Sequence, residues 1–354
     1  MKKYLSLVLV LILFTGTGFA KKKERLLICG CNWNKIAQID KASGRILWSH
    51  PVLPGEDCND IERTKQGAIL YAYQKGARLI RENHKVVWDY KAPEKAEVYT
   101  ATELPDGRFM ITMCGSPAQI VFLNKQGEVV KTIPFDPGIS NIHDQFRQIV
   151  LSRNNTFLIP LMGSGEIAEM DQNGQIFRKV KVGGNLFSVH ELKNGNWLVG
   201  CGDAHRFIEI EARSGKILRE VNSSMLKDVD LLFVAETIRL KNGNTLVCNW
   251  CGHSANKTQA KVLEVSPDNQ VVWQLQNPEI DNLGRQINQV ETDKTITTVT
   301  TDFTVLHRII YHFMKTAIFL IALFCLVIPV RAQEIQPGTQ PDKTQRELLK
   351  RGYG

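Results

Sequence analysis

From Glu24 onward, apolar residues recur in short runs bounded by turn residues, and the runs come in groups of four. The clearest group spans Leu186 to Val221 and reads L-F-S-V-H-E-L, K-N-G-N, W-L-V-G-C-G, D-A-H, R-F-I-E-I-E, A-R-S-G, K-I-L-R-E-V. Within each run, β-branched and apolar residues alternate or follow one another, and Asn-Gly or Ser-Gly stands where a tight turn needs positive φ. The pattern predicts strand, turn, strand, loop, strand, turn, strand. Fourth strands begin after Gly44, His84, Gly127, Gly174, Gly215 and Asn269, at intervals of 40, 43, 47, 41 and 54 residues. That period is the size of one β-propeller blade. The first turn recurs independently at Pro105-Asp106-Gly107, Asn194-Gly195-Asn196 and Asn242-Gly243-Asn244. A β-sandwich explains neither recurrence, and little in the body supports a helix.

The two ends of the body fix the number of blades. Three strands come first, Glu24 to Cys29, Lys35 to Asp40 and Arg45 to His50, with no inner strand before them. Ile287-Asn288-Gln289-Val290-Glu291 looks like an inner strand with no full blade after it. Joined, these segments complete one blade and hide two open sheet edges. The expected fold is therefore an all-β, six-bladed β-propeller over residues 21–305, with seven blades as the fallback count.

Composition changes the picture mainly at the termini. Residues 1–20 carry Lys2 and Lys3, an apolar run from Leu5 to Phe14 and a small-residue exit at Ala20, the build of a secretory signal peptide. An exported protein, periplasmic or on the cell surface, is expected. Residues 306–354 repeat that build from about Met314, with Ala317 to Val330 apolar and Arg331-Ala332-Gln333 following. This segment reads either as the start of a neighbouring frame fused to the body or as a membrane anchor, for which its apolar run is short. The formal charge of +8 falls to +2 for the body once these two segments are set aside, so no nucleic-acid partner is expected. Seven of the eight cysteines lie in the body, an odd number that leaves at least one unpaired in an oxidising compartment; Cys325 lies in the apolar tail.

The phrase Asp40-Lys-Ala-Ser-Gly44-Arg-Ile-Leu-Trp48, echoed by Trp88 and Trp273, resembles the Trp-docking repeat of PQQ-like propellers, in which the indole packs between neighbouring blades. The longer pattern runs from His143-Asp-Gln-Phe-Arg147-Gln148 through Asn249-Trp-Cys-Gly-His253 to Trp273, and it looks like small secreted PQQ-like propeller proteins of bacteria. A fainter similarity is to arylsulfotransferase propellers, which share the L-x-N-G-N-T-L and G-x-V-V-W phrases. The resemblance covers about residues 24–293 and speaks for fold more than for activity. PQQ dehydrogenases of the resembling superfamily have eight blades and vicinal cysteines beside the cofactor. This chain has no Cys-Cys dipeptide, so no PQQ or other cofactor is expected.

Strand alternation sorts the loops. Second-to-third loops and inter-blade connections leave on one face, and the Asn-Gly turns leave on the other. The first face collects Cys29-Gly-Cys31-Asn-Trp33, Cys114-Gly-Ser116, Met162-Gly-Ser164, Cys201-Gly-Asp203-Ala-His205, Asn249-Trp250-Cys251-Gly-His253, Cys58-Asn-Asp60, His143-Asp144 and Lys227-Asp-Val-Asp230. The ligand-binding candidates are Asp60, His143, Arg147, His190, Glu236, Asn249, Trp250 and His253, around the mouth or inner wall of the channel. Arg147 suits an anionic group, and Trp33 and Trp250 suit a carbohydrate face. Cys201, His205, Cys248 and Cys251 invite a zinc reading, but residues three apart in a strand face opposite sides, and no metal is expected. The reading is a binding module for a small molecule, carbohydrate or protein, with membrane contact only if the tail anchors. The alternative is an enzyme of arylsulfotransferase or quinoprotein type, and no catalytic residue is assigned.

Overall fold

The structure is a computed structural model that describes residues 24–30, 33–251 and 259–275 together with the backbone of 289–292. All belong to one compact unit, residues 1–294. The signal-like segment, the tail from 306 onward, Cys31, His253, Ile287 and Asn288 lie outside the described residues. Among the described residues no helix is long and apolar enough to cross a membrane.

Six antiparallel four-stranded sheets form the ring of a six-bladed β-propeller, with no α-helix among the described residues. Blades 2 to 6 are consecutive in sequence. Their inner strands are Cys58–Arg63, Glu97–Glu103, Val150–Leu151, Ser188–Glu191 and Val234–Arg239. Their outer strands are Val86–Lys91, Val129–Phe135, Ile176–Lys181, Ile217–Asn222 and Val271–Gln274. Blade 1 takes its three outer strands from Arg25–Cys29, Lys35–Asp40 and Ile46–Pro51, and its inner strand from Gln289–Thr292. That strand pairs antiparallel with the first, Leu26 opposite Thr292 and Cys29 opposite Gln289, so the two ends of the body meet as the sequence predicts.

Each blade follows the same burial logic. The middle strands Ile69–Tyr73, Gly76–Ile80, Phe109–Cys114 and Phe157–Leu161 are buried on both faces, because each is packed between neighbouring sheets. Continuous apolar runs such as I-L-Y-A-Y follow from that. Outer strands instead bury few positions, one in Val86–Lys91 and two in Val129–Phe135. All six outer hairpins turn through a left-handed residue at the position read from sequence: Gly44, His84, Gly127, Gly174, Gly215 and Asn269, with φ between 61° and 88°. Each is followed by a register shift in the ladder, the extra residue of a bulge that tightens twist at the rim.

The third residue of every outer strand docks on the outer turn of the next blade. Trp48 Nε1 donates to the Glu82 carbonyl at 2.8 Å, and Trp273 Nε1 donates to that of Lys41 at 3.0 Å, across the seam between blades 6 and 1. Trp88 packs so closely over Gly127 that a Cβ there would stand 2.6 Å from the indole. The other three positions hold cations. Lys131 donates to Gln172 O at 3.2 Å, Arg178 to Ala212 O and Arg213 O at 2.9 and 3.0 Å, and Arg219 to Ser266 O at 2.8 Å. The sequence showed the three tryptophans. It did not show that a lysine or arginine can stand there, its side-chain N–H groups reaching the same turn carbonyls as Trp48 and Trp273 do, while Trp88 docks by packing.

Candidate functional site at the channel mouth

The inner strands and their connections enclose two chambers along the channel. The first, about 300 Å³, lies at the face of the inter-blade connections and is lined by Asp57, Asn59 and Gln74 of blade 2, Tyr99 of blade 3, and His143, Asp144 and Arg147 of the connection that follows. Met162, Asn185, Phe187, Asp203, Phe233 and Trp250 complete it from blades 4 to 6. The second, about 690 Å³, runs toward the opposite face and includes Asp60, Glu62, Thr100, Gln148, Arg153, His190 and Glu236. Of the sequence candidates, His143, Arg147 and Trp250 therefore meet at the mouth, and Asp60, His190 and Glu236 meet deeper in the channel.

At the mouth, the chain between blades 3 and 4 makes a single 3-10 turn, Ile142–Asp144, started by Asn141, whose side chain accepts from the His143 amide at 3.1 Å. The turn holds His143 over the head of blade 3's inner strand. There Glu97 and Tyr99, two residues apart and so on one face of the strand, receive it. His143 Nδ1 lies 2.9 Å from Glu97 Oε2, and the Tyr99 hydroxyl donates to the same oxygen at 2.8 Å. Arg147 Nη2 approaches His143 Nε2 at 3.2 Å, so the pattern assigns the ring proton to Nδ1 and leaves Nε2 as acceptor. The Arg147 guanidinium lies 4.2 Å from the Tyr99 ring centroid, and Nη1 donates to the carbonyls of His143 and Phe146 at 2.5 and 2.9 Å. Opposite, Phe233 makes edge contacts with Trp250 at 5.0 Å and Phe187 at 5.7 Å between centroids, forming an aromatic wall.

The His143 hydrogen bond holds the Glu97 carboxyl down at about 2; burial opposes this, and the Tyr99 hydroxyl adds to it. A depressed carboxyl contributes stability that is complete above its ordinary value near 4.5 and is lost as pH falls through about 2. Wild-type protein is therefore expected to lose about 1–2 kcal/mol over that window from this group, a figure discounted for solvent screening of the exposed His143 ring. Glu97→Gln should be less stable at neutral pH by a similar amount and flatter below pH 4.5, as read by urea unfolding at several pH values. Equal acid slopes in the two proteins would remove Glu97 from this role.

Deeper in the channel, the buried Glu236 carboxylate pairs with the His190 ring. Burial pushes the His190 imidazole down, but the charge and hydrogen bond of Glu236 outweigh it and hold the group above its ordinary value. Asp60 lies within an inner strand rather than in the connection before it, so it faces the second chamber. It accepts from the Ile61 amide at 2.8 Å and, across the seam, from the Ala101 amide at 3.0 Å.

Three expectations change. Asn249 is wholly buried. Its Oδ1 accepts from Leu232 N at 2.7 Å, and its Nδ2 donates to Asp230 O and Ala260 O at 2.8 and 3.1 Å, so it pins two loops together and does not face a ligand. Trp33 is 2% exposed and packs in one cluster with Leu26, Phe187 and Phe233, so its ring is part of the core. Asp230 lines a separate shallow hollow with His205 and Leu232. Cys201, His205, Cys248 and Cys251 do not gather around a common point. His205 Nδ1 is 2.7 Å from Leu232 O, burial pushes the Cys201 thiol up to about 12, and Cys248 and Cys251 are buried. Among the described residues, no three His, Cys, Asp or Glu side chains stand where they would share an ion. Cys29, Cys114, Cys201 and Cys248 are free thiols. Glu97 and Tyr99 were not singled out from sequence; their alternate spacing at a strand head was the available signal.

Fold and mouth together define a six-bladed propeller with a polar and aromatic cavity at one end of its channel. The chain belongs to the Mal s 1 allergenic protein-like family, whose model matches residues 30–270. A solved protein of unknown function from Bacteroides caccae is 37% identical, with a TM-score of 0.72 over 77% of this chain and 100% of that one. A catalytically inactive virginiamycin B lyase from Staphylococcus aureus, solved with quinupristin, shares the fold at 13% identity and TM-score 0.51, over 73% of this chain and 87% of that one. A chain of a nidogen/laminin complex does so at 9% identity and TM-score 0.55, over 76% and 98%. No curated protein matches the sequence.

Proposed function

We propose that this is an exported propeller that acts as a binding module, taking a small molecule, a carbohydrate or a protruding group of a protein partner into the mouth of its channel. The observation that carries the reading is the convergence of Tyr99 from blade 3, His143 and Arg147 from the connection after it, and Phe233 and Trp250 from blade 6 on one cavity of about 300 Å³. Pockets of this kind bind through an apolar wall and a few placed polar groups. Export rests on the charged, apolar and small-residue succession in residues 1–20. Ligand-observed NMR against a library of small acids, sugars and amines tests the module. Hits should compete with one another and weaken at least tenfold in Trp250→Ala and His143→Gln. Hits that survive both substitutions, or a library without hits, would overturn it.

A second reading, an enzyme, is favoured by the Glu97–His143 pair beside Arg147. A carboxylate that orients an imidazole, with a cation next to it, supplies a base and an anion stabiliser. Turnover of an aryl sulfate that is lost in His143→Gln would support a sulfotransfer enzyme, and absence of turnover would remove that version.

A further inference from the structure

We propose that the mouth is built for a small organic monocarboxylate, with Arg147 as its counter-ion; the inference rests on the binding-module reading and narrows it to one ligand class. Arg147 is 5% exposed, yet its described partners are two backbone carbonyls, a histidine ring nitrogen and the face of Tyr99. Among the described residues no carboxylate lies within salt-bridge distance of it, whereas the similarly buried Arg78 holds both Glu56 and Asp89 within 3.0 Å. A buried cation without an anion is costly, and the cost falls when an anion arrives.

The Glu97 carboxylate is committed elsewhere. Glu97 stands near enough to feel the charge of Arg147, but its Oε2 is occupied by His143 and Tyr99. Nη1 of Arg147 is held by the two carbonyls, and no described group accepts from Nε. The Nε and Nη2 edge is the one that matches the two oxygens of a planar carboxylate. Packing on Tyr99 and the carbonyl clamps fix the guanidinium plane, so little side-chain entropy remains to be lost on binding.

Charge selects among anions. Among the described lining residues, Arg147 stands with Asp57, Asp144 and Asp203. Repulsion from these carboxylates grows with the charge of an anion, so a monoanion is favoured over a phosphate dianion. The wall of Phe187, Phe233 and Trp250 suits a flat apolar body attached to the carboxylate.

The test uses the full chain and defined probes. Benzoate and phenylacetate are titrated calorimetrically against benzamide, phenylacetamide and phenyl phosphate. The acids should bind at least tenfold more tightly than their amides and than phenyl phosphate, and Arg147→Gln should abolish that advantage. The comparison of acid with amide in the wild type stands even if the variant fails to fold. Equal binding of acid and amide overturns the carboxylate inference and leaves the mouth as a binding site. Preference for phenyl phosphate, or no binding of the acids at 10 mM, also overturns it, and the library screen then judges the wider reading separately.

Discussion

A chain ending at Leu275 should not yield a folded monomer, whereas one ending at Lys294 should retain the propeller. The difference is the strand Gln289–Thr292, which is the inner strand of blade 1 and pairs with Arg25–Cys29 over four residues. Without it, the Leu26–Cys29 edge loses its backbone partners, and the inner ends of blades 6 and 2 lose the strand that lies against them. Exposed edges of this kind pair with other chains. The expected loss is more than about 5 kcal/mol, a large part of the stability of an ordinary domain. Size-exclusion chromatography and circular dichroism of the two truncations check it, and a monodisperse, β-rich shorter chain would show that the ring does not depend on this closure.

Arg78→Met should cost about 3–5 kcal/mol, the usual effect of removing one partner from a buried ionic cluster. The Arg78 guanidinium holds Glu56 through two bonds of 3.0 and 2.9 Å, Asp89 at 3.0 Å and the Tyr71 hydroxyl at 2.7 Å, and it lies 5.1 Å from the Tyr73 ring. Burial pushes the Asp89 carboxyl up, but the bonds from Arg78 and Tyr73 outweigh it and hold the group below its ordinary value. Methionine fills most of the space but leaves Glu56 and Asp89 facing each other, with Lys91 as the remaining cation near both. Adding Glu56→Gln to Arg78→Met should restore part of the loss. Equilibrium unfolding in urea reads both effects, and a single-variant loss under about 1 kcal/mol would mean that the cluster is solvated.

Much of the architecture was legible because turn chemistry repeats more faithfully than strands do. Gly, Asn or His at the outer turns marks residues that must adopt positive φ, and their spacing counted the blades before any strand boundary was known. The mouth was legible at the level of loops and less so at the level of side chains. His143 and Arg147 were placed by their position before an inner strand, but the partners that give them meaning, Glu97 and Tyr99, come from the preceding blade and nothing local connects them. Asp60 was read in the connection at the channel rim, but the inner strand already starts at Cys58, and a boundary error of three residues moves a side chain along the channel axis. Asn249 was a ligand-binding candidate because it opens one of the loops gathered on the channel face. Its amide instead bonds backbone groups of two loops, at Asp230 to Phe233 and at Ala260.

The docking residues of the outer strands divide the circle into two arcs. Indoles fasten the seams from blade 6 through blade 1 to blade 3, and an ammonium and two guanidinium groups fasten the rest. The joint where the two ends of the body meet in a strand ladder falls inside the indole arc. The molecule thus keeps its least covalent joint under fasteners that dissolved ions do not compete for, and a change in the salinity of its surroundings should loosen the far side of the wheel first.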